Sequence, residues 1–336
     1  MATTHPPKPN AAPAELALLE KIRARTPGSS ASGLRLGIGD DCALIRLRPG
    51  EELAVTTDLS ISGRHFRLDW HSPESIGHRA LARGLSDLAA MGARPLAAFL
   101  SLGLPRELVQ SAKGRRPWLD RFFDGFFALA EAHKTPLAGG DLAESPLATA
   151  DIVLTGAVRR GQALLRSGAR TGDRIYVTGQ LGGAAAGLEL LAHGAASRPS
   201  KSMATKLAPH LYPQPRIAQG LWLVRHGAAS AAMDLSDGLS LDLARLCAAS
   251  RVAAEIDAAA LPLAPGATLE QALDGGEDYE LLFTAPPTAR LPRSIHGVKI
   301  TPIGRILGRR AAAPPVMLVT AQGARPLAPK GWEHFS

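Results

Sequence analysis

Short apolar runs alternate with segments of helical periodicity along the first half of the chain. Apolar residues spaced three and four positions apart predict helices over residues 14–25, 73–92 and 117–133. Runs of apolar and β-branched residues predict strands over residues 34–39, 42–47, 52–58, 95–104, 135–141 and 151–158. Because strands and helices alternate, this half is predicted to be α/β or α+β.

The second half repeats this alternation. Strands are predicted over residues 173–179, 252–257, 280–286 and 298–307 and a strand-like segment at 230–238, with helices over 181–194, 215–227 and up to Ser250. A basic, proline-containing linker is predicted from Ala195 to Pro215, and the C-terminal stretch is rich in turn residues. The apolar pattern breaks at residues 158–172. This break predicts an N-terminal domain over residues 14–158 and a C-terminal domain over 159–336, and the Pro- and Ala-rich composition of residues 1–13 predicts a disordered tail.

The composition of the 336 residues is that of a globular protein. Apolar residues make up 46% and charged residues 20%, which excludes a wholly disordered chain. No run of about 18 apolar residues could span a membrane, and the N-terminus lacks a signal pattern, so a cytoplasmic protein is expected. Cys42 and Cys247 are too few for a disulfide framework, and no cluster of His and Cys predicts zinc.

The net charge of +8 raises the hypothesis of a nucleic-acid binder. Aromatic residues make up only 4% of the chain, however, which is too few for a platform on which single-stranded bases stack. The basic residues are also dispersed, and their densest run, at residues 113–116, is too short to follow a duplex. Composition therefore argues against nucleic acid as a partner.

The acidic residues carry more information. Five clusters combine aspartate with glycine or a hydroxyl residue, and most lie where a predicted strand ends: Gly37–Asp41, Thr56–Asp58, Ser86–Asp87, Gly139–Asp141 and Asp234–Gly238. Oxygen ligands without nearby His or Cys suit Mg²⁺, which in turn points to a phosphate-bearing ligand. If these carboxylates converge, their mutual repulsion requires a cation.

Familiar nucleotide-binding motifs are absent from the sequence. There is no GxxxxGK[ST] loop, and the segment Gly37-x-Gly39-x-x-Cys42 breaks the dinucleotide-binding pattern at its third glycine. Neither of the protein-kinase elements HRD and DFG occurs. Any ATP chemistry must therefore use another architecture.

Taken in order, the acidic clusters and their neighbours resemble the thiamine-monophosphate kinase family, part of a superfamily that includes aminoimidazole ribonucleotide synthetase. The matching segments extend from residue 37 to the C-terminus and include GIGDDCALI, TTDLSISGRHF, LSDLAAMGARP, GGD, QALLRSGAR, MDLSDG, GGEDYELLFT and KGWEHF. Gly84 and Leu142 depart from the family pattern. The resemblance implies a two-domain aminoimidazole ribonucleotide synthetase-like fold, a homodimer paired through its N-terminal sheets, and ATP in the cleft between the domains.

The resemblance also implies an activity, the ATP-dependent phosphorylation of thiamine monophosphate to thiamine diphosphate, in line and assisted by several Mg²⁺ ions. The residues implied to hold Mg²⁺ are Asp41, Thr56, Thr57, Asp58, Asp87, Asp141, Asp234 and Asp237, of which Asp237, Asp41 and Asp58 are implied to be catalytic. Those implied to contact ATP are Gly140, Asp141, Arg166 and Ser236. Those implied to bind thiamine monophosphate are His65, Glu277 and Trp332.

Other roles stay open. They are an N-cap of the helix beginning near Gly238 for Asp234 or Ser236, a turn for Glu277, a packing anchor for Trp332, the protein surface for Arg166 and the core for His65. Two alternative functions also stay open. One is a related ATP-dependent synthetase or activating enzyme acting on another acceptor, and the other is a non-catalytic nucleotide or nucleic-acid binder.

Overall fold

The computed structural model describes residues 14–26, 33–110, 116–194, 200–309 and 314–332. The predicted tail at residues 1–13 lies outside the described residues, as does the part of the predicted linker at residues 195–199. Within the described ranges, no helix is long and apolar enough to cross a membrane.

The first half of the chain forms a four-stranded sheet with helices packed against it. The helices are α1 (Ala14–Arg25), α2 (Pro73–Ala90), α3 (Arg106–Val109) and α4 (Trp118–Ala132). The strands are β1 (Leu34–Leu36), β2 (Leu44–Ile45), β3 (Glu51–Ile61), β4 (Arg94–Leu104), β5 (Leu137–Glu144) and β6 (Thr149–Arg159). The sheet has the order β3-β6-β4-β5 and is antiparallel except between β4 and β5, while β1 and β2 form a separate pair.

The second half forms an eight-stranded sheet. Its strands are β7 (Arg174–Thr178), β8 (Ala231–Asp234), β9 (Val252–Asp257), β10 (Leu281–Ala285), β11 (Ser294–Ile295), β12 (Val298–Gly308), β13 (Val316–Thr320) and β14 (Gly323–Pro326). Its helices are α5 (Gly183–Ala192), α6 (Lys201–Leu211), α7 (Ile217–Arg225), α8 (Leu239–Ser250) and α9 (Leu269–Asp274). The strand order is β14-β13-β9-β12-β7-β10-β8, with β11 paired to β12. This mixture of sheets and helices confirms the predicted α/β (α+β) class.

Helix α2 packs against one face of the N-terminal sheet. The Ser72 hydroxyl accepts the Ser75 N–H at 3.2 Å, and Pro73 occupies the first helical turn, so the sequence specifies where the helix begins. Gly84 departs from the family pattern at a point of close packing. A Cβ atom there would lie 2.7 Å from the side chain of Leu154 in β6. Close packing brings the polar side chains of α2 to the junction between the two sheets.

The other face of the N-terminal sheet is apolar and exposed. Leu53, Val55 and Leu59 of β3 are 50%, 57% and 48% exposed, because alternate residues of a strand point to opposite faces. The residues between them are more buried and share the face that α2 covers. Three large apolar side chains in a row form the kind of surface that is typical of an interaction site.

One apolar core joins the two halves of the chain. Phe122 and Leu154 of the first half belong to the same buried cluster as Tyr176 and Phe283 of the second half. The rings of Tyr176 and Phe283 are stacked, with their centroids 5.3 Å apart. The junction between the sheets is therefore closely packed, while the predicted domain ranges themselves stay a prediction.

Two predictions for the second half of the chain were wrong. The predicted linker from Ala195 to Pro215 contains helix α6, because Leu207 and His210 are buried against the rest of the protein. Pro209 lies inside this helix and interrupts the pattern that would predict it. The C-terminal stretch, predicted to be rich in turns, contains β13 and β14, and Val316 of β13 is fully buried.

Candidate active site

Two carboxylates from different halves of the chain lie beside each other at the junction. Asp87 lies in α2, and Asp234 is the buried last residue of β8. The Thr56 hydroxyl donates to Asp87, and the Ser86 hydroxyl donates to Asp234 Oδ2 at 2.8 Å. Burial and then the charge of Asp234 raise the pKa of Asp87 to about 7, and burial raises the pKa of Asp234 to about 6. Arg166 is exposed and its charge opposes both shifts, while its role as an ATP contact stays a prediction.

Three charged residues follow one another along one face of α2. Arg79, Arg83 and Asp87 are four positions apart, which is about one helical turn, so they form a row that we call the α2 row. In its middle, Arg83 Nη2 donates to Asp58 Oδ1 of β3 at 3.1 Å. Burial raises the pKa of Asp58 despite this ion pair. The α2 row therefore connects the Asp87–Asp234 pair with a second group of predicted site residues.

That second group is held together by Arg79. Its buried guanidinium donates to the backbone oxygens of His65, at 3.2 Å, and His210, and to Glu277 Oε1 at 2.7 Å. Burial alone would raise the pKa of Glu277, but the charge and hydrogen bond of Arg79, together with the charges of His210 and Arg83, outweigh burial and lower that pKa to about 2. The predicted substrate residues His65 and Glu277 are thus brought together by an arginine that the sequence analysis did not single out.

The segment around Glu277 has an unusual backbone. Glu277 and Tyr279 adopt left-handed conformations, with φ of 68° and 50°. Their N–H groups donate to the backbone oxygens of Ser236, at 2.8 Å, and Leu235, at 2.9 Å. Strained residues persist where the surrounding structure fixes them, and they concentrate at functional sites. These contacts place the GGEDYEL segment directly against the MDLSDG segment.

Asp242 fixes the loop that precedes α8. Its Oδ2 accepts the N–H groups of Ser236, Asp237 and Gly238 at 3.2, 3.0 and 3.2 Å. Asp242, in the first turn of α8, thereby holds the loop before the helix through its backbone, and Gly238 is the N-cap residue. The N-cap role considered for Asp234 or Ser236 is wrong.

Asp237 lies beside the C-terminal segment. Its half-buried carboxylate pairs with Arg245, and its backbone oxygen accepts the Trp332 N–H at 3.1 Å. Trp332 is 49% exposed, and its role as a substrate contact or as a packing anchor stays a prediction. Besides burial, the charges of Asp151 and then Asp237 contribute to raising the pKa of Asp58.

The strand register separates two predicted ligands from this group. Paired positions cross the sheet from Leu59 of β3 to Asp141 of β5, and paired residues share a face. Asp141 therefore lies on the exposed face, together with Thr57. Thr56 and Asp58 lie on the opposite face, beneath α2. The structure does not bring Thr57 and Asp141 to the Asp87–Asp234 pair, and their role as ligands stays a prediction.

Asp41 and Gly140 also lie apart from the pair. Asp41 is exposed between β1 and β2, and its N–H donates to the Asp40 carboxylate at 2.9 Å. Gly140 has a φ of 149°, and a Cβ atom there would lie 1.9 Å from the Leu100 carbonyl oxygen of β4. The second glycine of the GGD motif is therefore required by the backbone of β5.

The donor chemistry of the junction fits Mg²⁺. Among the residues that the structure describes, no three His, Cys, Asp or Glu side chains lie close enough to hold one metal ion. The Asp87–Asp234 pair, with the hydroxyls of Thr56 and Ser86, nevertheless offers only hard oxygen donors. Burial raises the pKa of both carboxylates, and a cation bound beside them would favour their ionised forms.

The sequence analysis missed four residues that organise this site: Arg79, Arg83, His210 and Asp242. The spacing of four residues back from Asp87 is a signal that identifies the two arginines once α2 is placed. No comparable signal marks His210, because its helix was not predicted.

Comparison with known proteins identifies the family. Residues 39–158 match the model of the AIR synthase related protein N-terminal domain, and residues 170–312 match the model of the corresponding C-terminal domain. The thiamine-monophosphate kinase of Escherichia coli is 42% identical over 290 residues, which cover 83% of this chain and 86% of that protein. The Haemophilus influenzae enzyme of the same name is 35% identical over 314 residues, covering 90% and 92%.

Solved structures agree with these matches. Thiamine-monophosphate kinase from Stenotrophomonas maltophilia is 40% identical, with a TM-score of 0.78 and coverage of 90% of this chain and 95% of that one. AaThiL complexed with AMPPCP and TMP is 32% identical, with a TM-score of 0.75 and coverage of 96% of both chains. The chain described here therefore belongs to the thiamine-monophosphate kinase family, within the AIR synthase related proteins.

Proposed function

We propose that this protein is a cytoplasmic enzyme that transfers the γ-phosphoryl group of ATP to thiamine monophosphate, giving thiamine diphosphate and ADP. The observation that carries the proposal is the similarity to named thiamine-monophosphate kinases over most of the chain. The related structure with the ATP analogue AMPPCP and TMP supports the same substrate pair. Two groups of polar residues lie toward the ends of the α2 row, and we assign one of them to each substrate.

The reaction needs no general base. The acceptor is a phosphate oxygen that is already ionised at neutral pH, so the main obstacle is repulsion between two anionic molecules. Mg²⁺ bound at this site would supply charge neutralisation and alignment of the two phosphate chains. The residues best placed to hold it are Thr56, Asp58, Asp87, Asp234 and Asp237, with Asp41, Thr57 and Asp141 as further predicted ligands.

The end of the α2 row at Arg79 fits thiamine monophosphate. The thiazolium ring is a permanent cation, for which an aromatic face and a carboxylate are complementary partners. Glu277 stays ionised because Arg79 holds it, and Trp332 is half exposed beside Asp237. His65 lies near Glu277, held to the same guanidinium through its backbone oxygen.

The opposite end of the row fits ATP. Arg166 is exposed and its charge reaches the Asp87–Asp234 pair, which suits a guanidinium that contacts a polyphosphate. Ser236 lies in the loop that Asp242 organises, and its backbone oxygen accepts the Glu277 N–H, so this predicted ATP contact lies between the two groups rather than at one end. Gly140 and Asp141 complete the predicted ATP contacts on β5.

We further propose a homodimer formed through the exposed face of the N-terminal sheet. Leu53, Val55 and Leu59 present large apolar side chains there, and burying them against a second copy would remove that surface from water. The predicted ATP residue Asp141 shares this face. Dimerisation would therefore cover the surface beside Asp141.

The direct test is to incubate the protein with ATP, Mg²⁺ and thiamine monophosphate and to measure ADP and thiamine diphosphate. Thiamine, which lacks the acceptor phosphate, is the matched control and should give neither product. ATP binding without thiamine diphosphate formation would reject the proposal and favour a related synthetase acting on another acceptor. Salt-sensitive retention on DNA without turnover would favour the nucleic-acid binder.

A further inference from the structure

The middle of the α2 row carries a cation that the proposed function does not yet use. Arg83 lies between Arg79, which holds Glu277, and Asp87, which faces Asp234. Its Nη2 donates to Asp58 at 3.1 Å, and it lies about one helical turn from Arg79 on one side and from Asp87 on the other, between the two predicted substrate positions. Phosphoryl transfer requires the acceptor phosphate to lie in this same interval, because it must reach the nucleotide.

The hydrogen bonds of Arg83 leave donor capacity free. Its Nη2 donates to Asp58 at 3.1 Å, and its Nη1 lies 3.5 Å from the Ser60 hydroxyl. Within the described part of the chain, its buried Nε has no hydrogen-bond partner. A guanidinium has five N–H donors in a planar fork that matches phosphate oxygens. Arg83 can therefore donate hydrogen bonds to an anionic ligand in addition to Asp58 or in its place.

The proposed reaction changes the partner of Arg83. Asp58 is its ion-pair partner and also a proposed Mg²⁺ ligand. If Asp58 held a divalent cation, its carboxylate would no longer be available to Arg83 alone. The arginine would then lack an anion in a partly buried position, since its side chain is only 16% exposed. The acceptor phosphate would supply the negative charge in place of Asp58.

The neighbouring arginine is committed elsewhere. Arg79 is only 5% exposed and already binds Glu277 and two backbone oxygens. The cavity between Arg79 and Arg83, lined also by His65, has a volume of about 10 Å³, which is room for one water molecule. A phosphate group does not fit this cavity, so it would have to reach Arg83 through the 16% of the side chain that is exposed.

We propose that Arg83 binds the phosphate of the acceptor, exchanging Asp58 for that phosphate when Asp58 binds the metal. This inference rests on the function proposed above and adds a binding residue to it. The test compares the affinities of thiamine monophosphate and thiamine by titration calorimetry without ATP, so that turnover plays no part. The proteins are the wild type, Arg83→Gln, Arg83→Lys and the control Arg121→Gln. The control removes a surface guanidinium of α4 that forms an ion pair with Glu74 of α2.

Arg83→Gln is expected to weaken the binding of thiamine monophosphate by about 10- to 100-fold while the binding of thiamine stays unchanged. Arg83→Lys should fall between the wild type and Arg83→Gln, because it keeps the charge but loses the fork. Adding Mg²⁺ should strengthen the binding of thiamine monophosphate more in the wild type than in Arg83→Gln. Arg121→Gln should match the wild type throughout.

Three results would overturn the inference: an unchanged preference for thiamine monophosphate in Arg83→Gln, an equal loss for both ligands, or recovery of affinity in Arg83→Gln/Asp58→Asn. The last result would mean that Arg83 merely neutralises Asp58. If Arg83→Gln does not fold, Arg83→Lys decides, and wild-type affinity in that variant overturns the inference.

A wild type that converts thiamine monophosphate while these variants bind it normally refutes only the role of Arg83. A wild type that neither binds nor converts it refutes the proposed function, and this inference with it.

Discussion

Arg79 in α2 and Glu277 in the loop before β10 form an ion pair across the junction of the two sheets, with Nη2 and Oε1 2.7 Å apart. The arginine is nearly buried, and the glutamate keeps its charge because of this partner. The pair therefore connects the packing of the two halves with the position of a predicted substrate residue.

Replacing Arg79 alone should be far more costly than replacing the pair. Arg79→Met leaves a partly buried carboxylate without its cation, and we expect a loss of about 3–5 kcal/mol in the free energy of unfolding. Arg79→Met/Glu277→Gln should recover part of that loss, because the uncompensated charge is gone. Urea unfolding of the four proteins of this double-mutant cycle measures the coupling.

The exposed pair Arg106–Glu144 provides the matched control for this cycle. Its side chains are well exposed, so the same cycle there should give a coupling of about 0–1 kcal/mol. Equal coupling energies for the two pairs would contradict the structural role assigned to Arg79.

Asp237 is expected to be essential for turnover and dispensable for folding. Asp237→Ala should lower kcat by orders of magnitude, because a carboxylate proposed to hold Mg²⁺ is removed, while its half-buried position makes the effect on Tm small. Asp69→Asn removes the partner of an exposed ion pair with Arg67 and serves as the control. ADP release measured for both variants checks the prediction, and unchanged turnover in Asp237→Ala would remove this residue from the metal site.

Stability without Mg²⁺ should fall as the pH rises. The folded protein raises the pKa of Asp87 from 3.8 to about 7, so it binds a proton more tightly than the unfolded chain does. Its contribution is therefore fully present below its ordinary pKa and is lost as the pH rises toward about 7. Asp87→Asn should flatten this dependence and raise Tm at the alkaline end.

The same titration predicts how Mg²⁺ acts. Adding Mg²⁺ should raise Tm more at a pH of about 7 than at a pH near 3.8, because protons compete with the metal for Asp87 and Asp234 at the lower pH. Asp141→Asn, which changes an exposed carboxylate of the predicted ligand set, is the comparison for the metal-free protein and should leave the slope unchanged. Thermal melts over a pH series with and without Mg²⁺ measure both effects, and a slope that is the same in Asp87→Asn and wild type would contradict the assignment.

Gly140 should not tolerate a side chain. Gly140→Ala puts Cβ against the Leu100 carbonyl, so we expect a loss of about 1–3 kcal/mol from overpacking in addition to the cost of the backbone conformation. Gly161→Ala is the matched control, since Gly161 also has a positive φ, of 70°, but has open space around it. Denaturant unfolding of both variants separates the two contributions. Equal losses would mean that β5 moves away from β4 without cost.

The proposed dimer depends on the apolar face of β3. Val55→Lys puts a charge at a position that is 57% exposed in the single chain, so it should leave the monomer folded and prevent association. Leu188→Lys, at an exposed position of α5, is the control. Light scattering during gel filtration should show a dimer for the control and a monomer for Val55→Lys, and a dimeric Val55→Lys would exclude this face as the interface.

The acidic residues of the candidate site are easier to predict from the sequence than its basic residues. The motifs containing Asp87 and Asp234 are short and glycine-flanked, so they stand out before any contact is known. Arg79 and Arg83 are two of many arginines, and their roles follow from the face of α2 that packs toward Asp58 and Glu277. Only tertiary packing distinguishes them from surface residues.

The errors in the fold have a similar origin. Helix α6 contains Pro209 and a basic N-terminal turn, and both features favour a linker when the sequence is considered alone. In the folded protein, α6 packs against α5 and buries Leu207 and His210. The free energy of packing α6 against α5 outweighs the low helix propensity of this segment. This packing cannot be seen from the sequence of the segment alone.

The α2 row also sets a length scale. A rise of 1.5 Å per residue puts about 12 Å between the backbone positions of Arg79 and Asp87, with Arg83 halfway. One residue inserted between Arg79 and Asp87 would turn every later side chain of α2 by about 100°. Asp87 would then move away from Asp234 while Arg79 stayed with Glu277. The number of residues between Arg79 and Asp87 therefore fixes the distance at which the two phosphate-bearing molecules can be held.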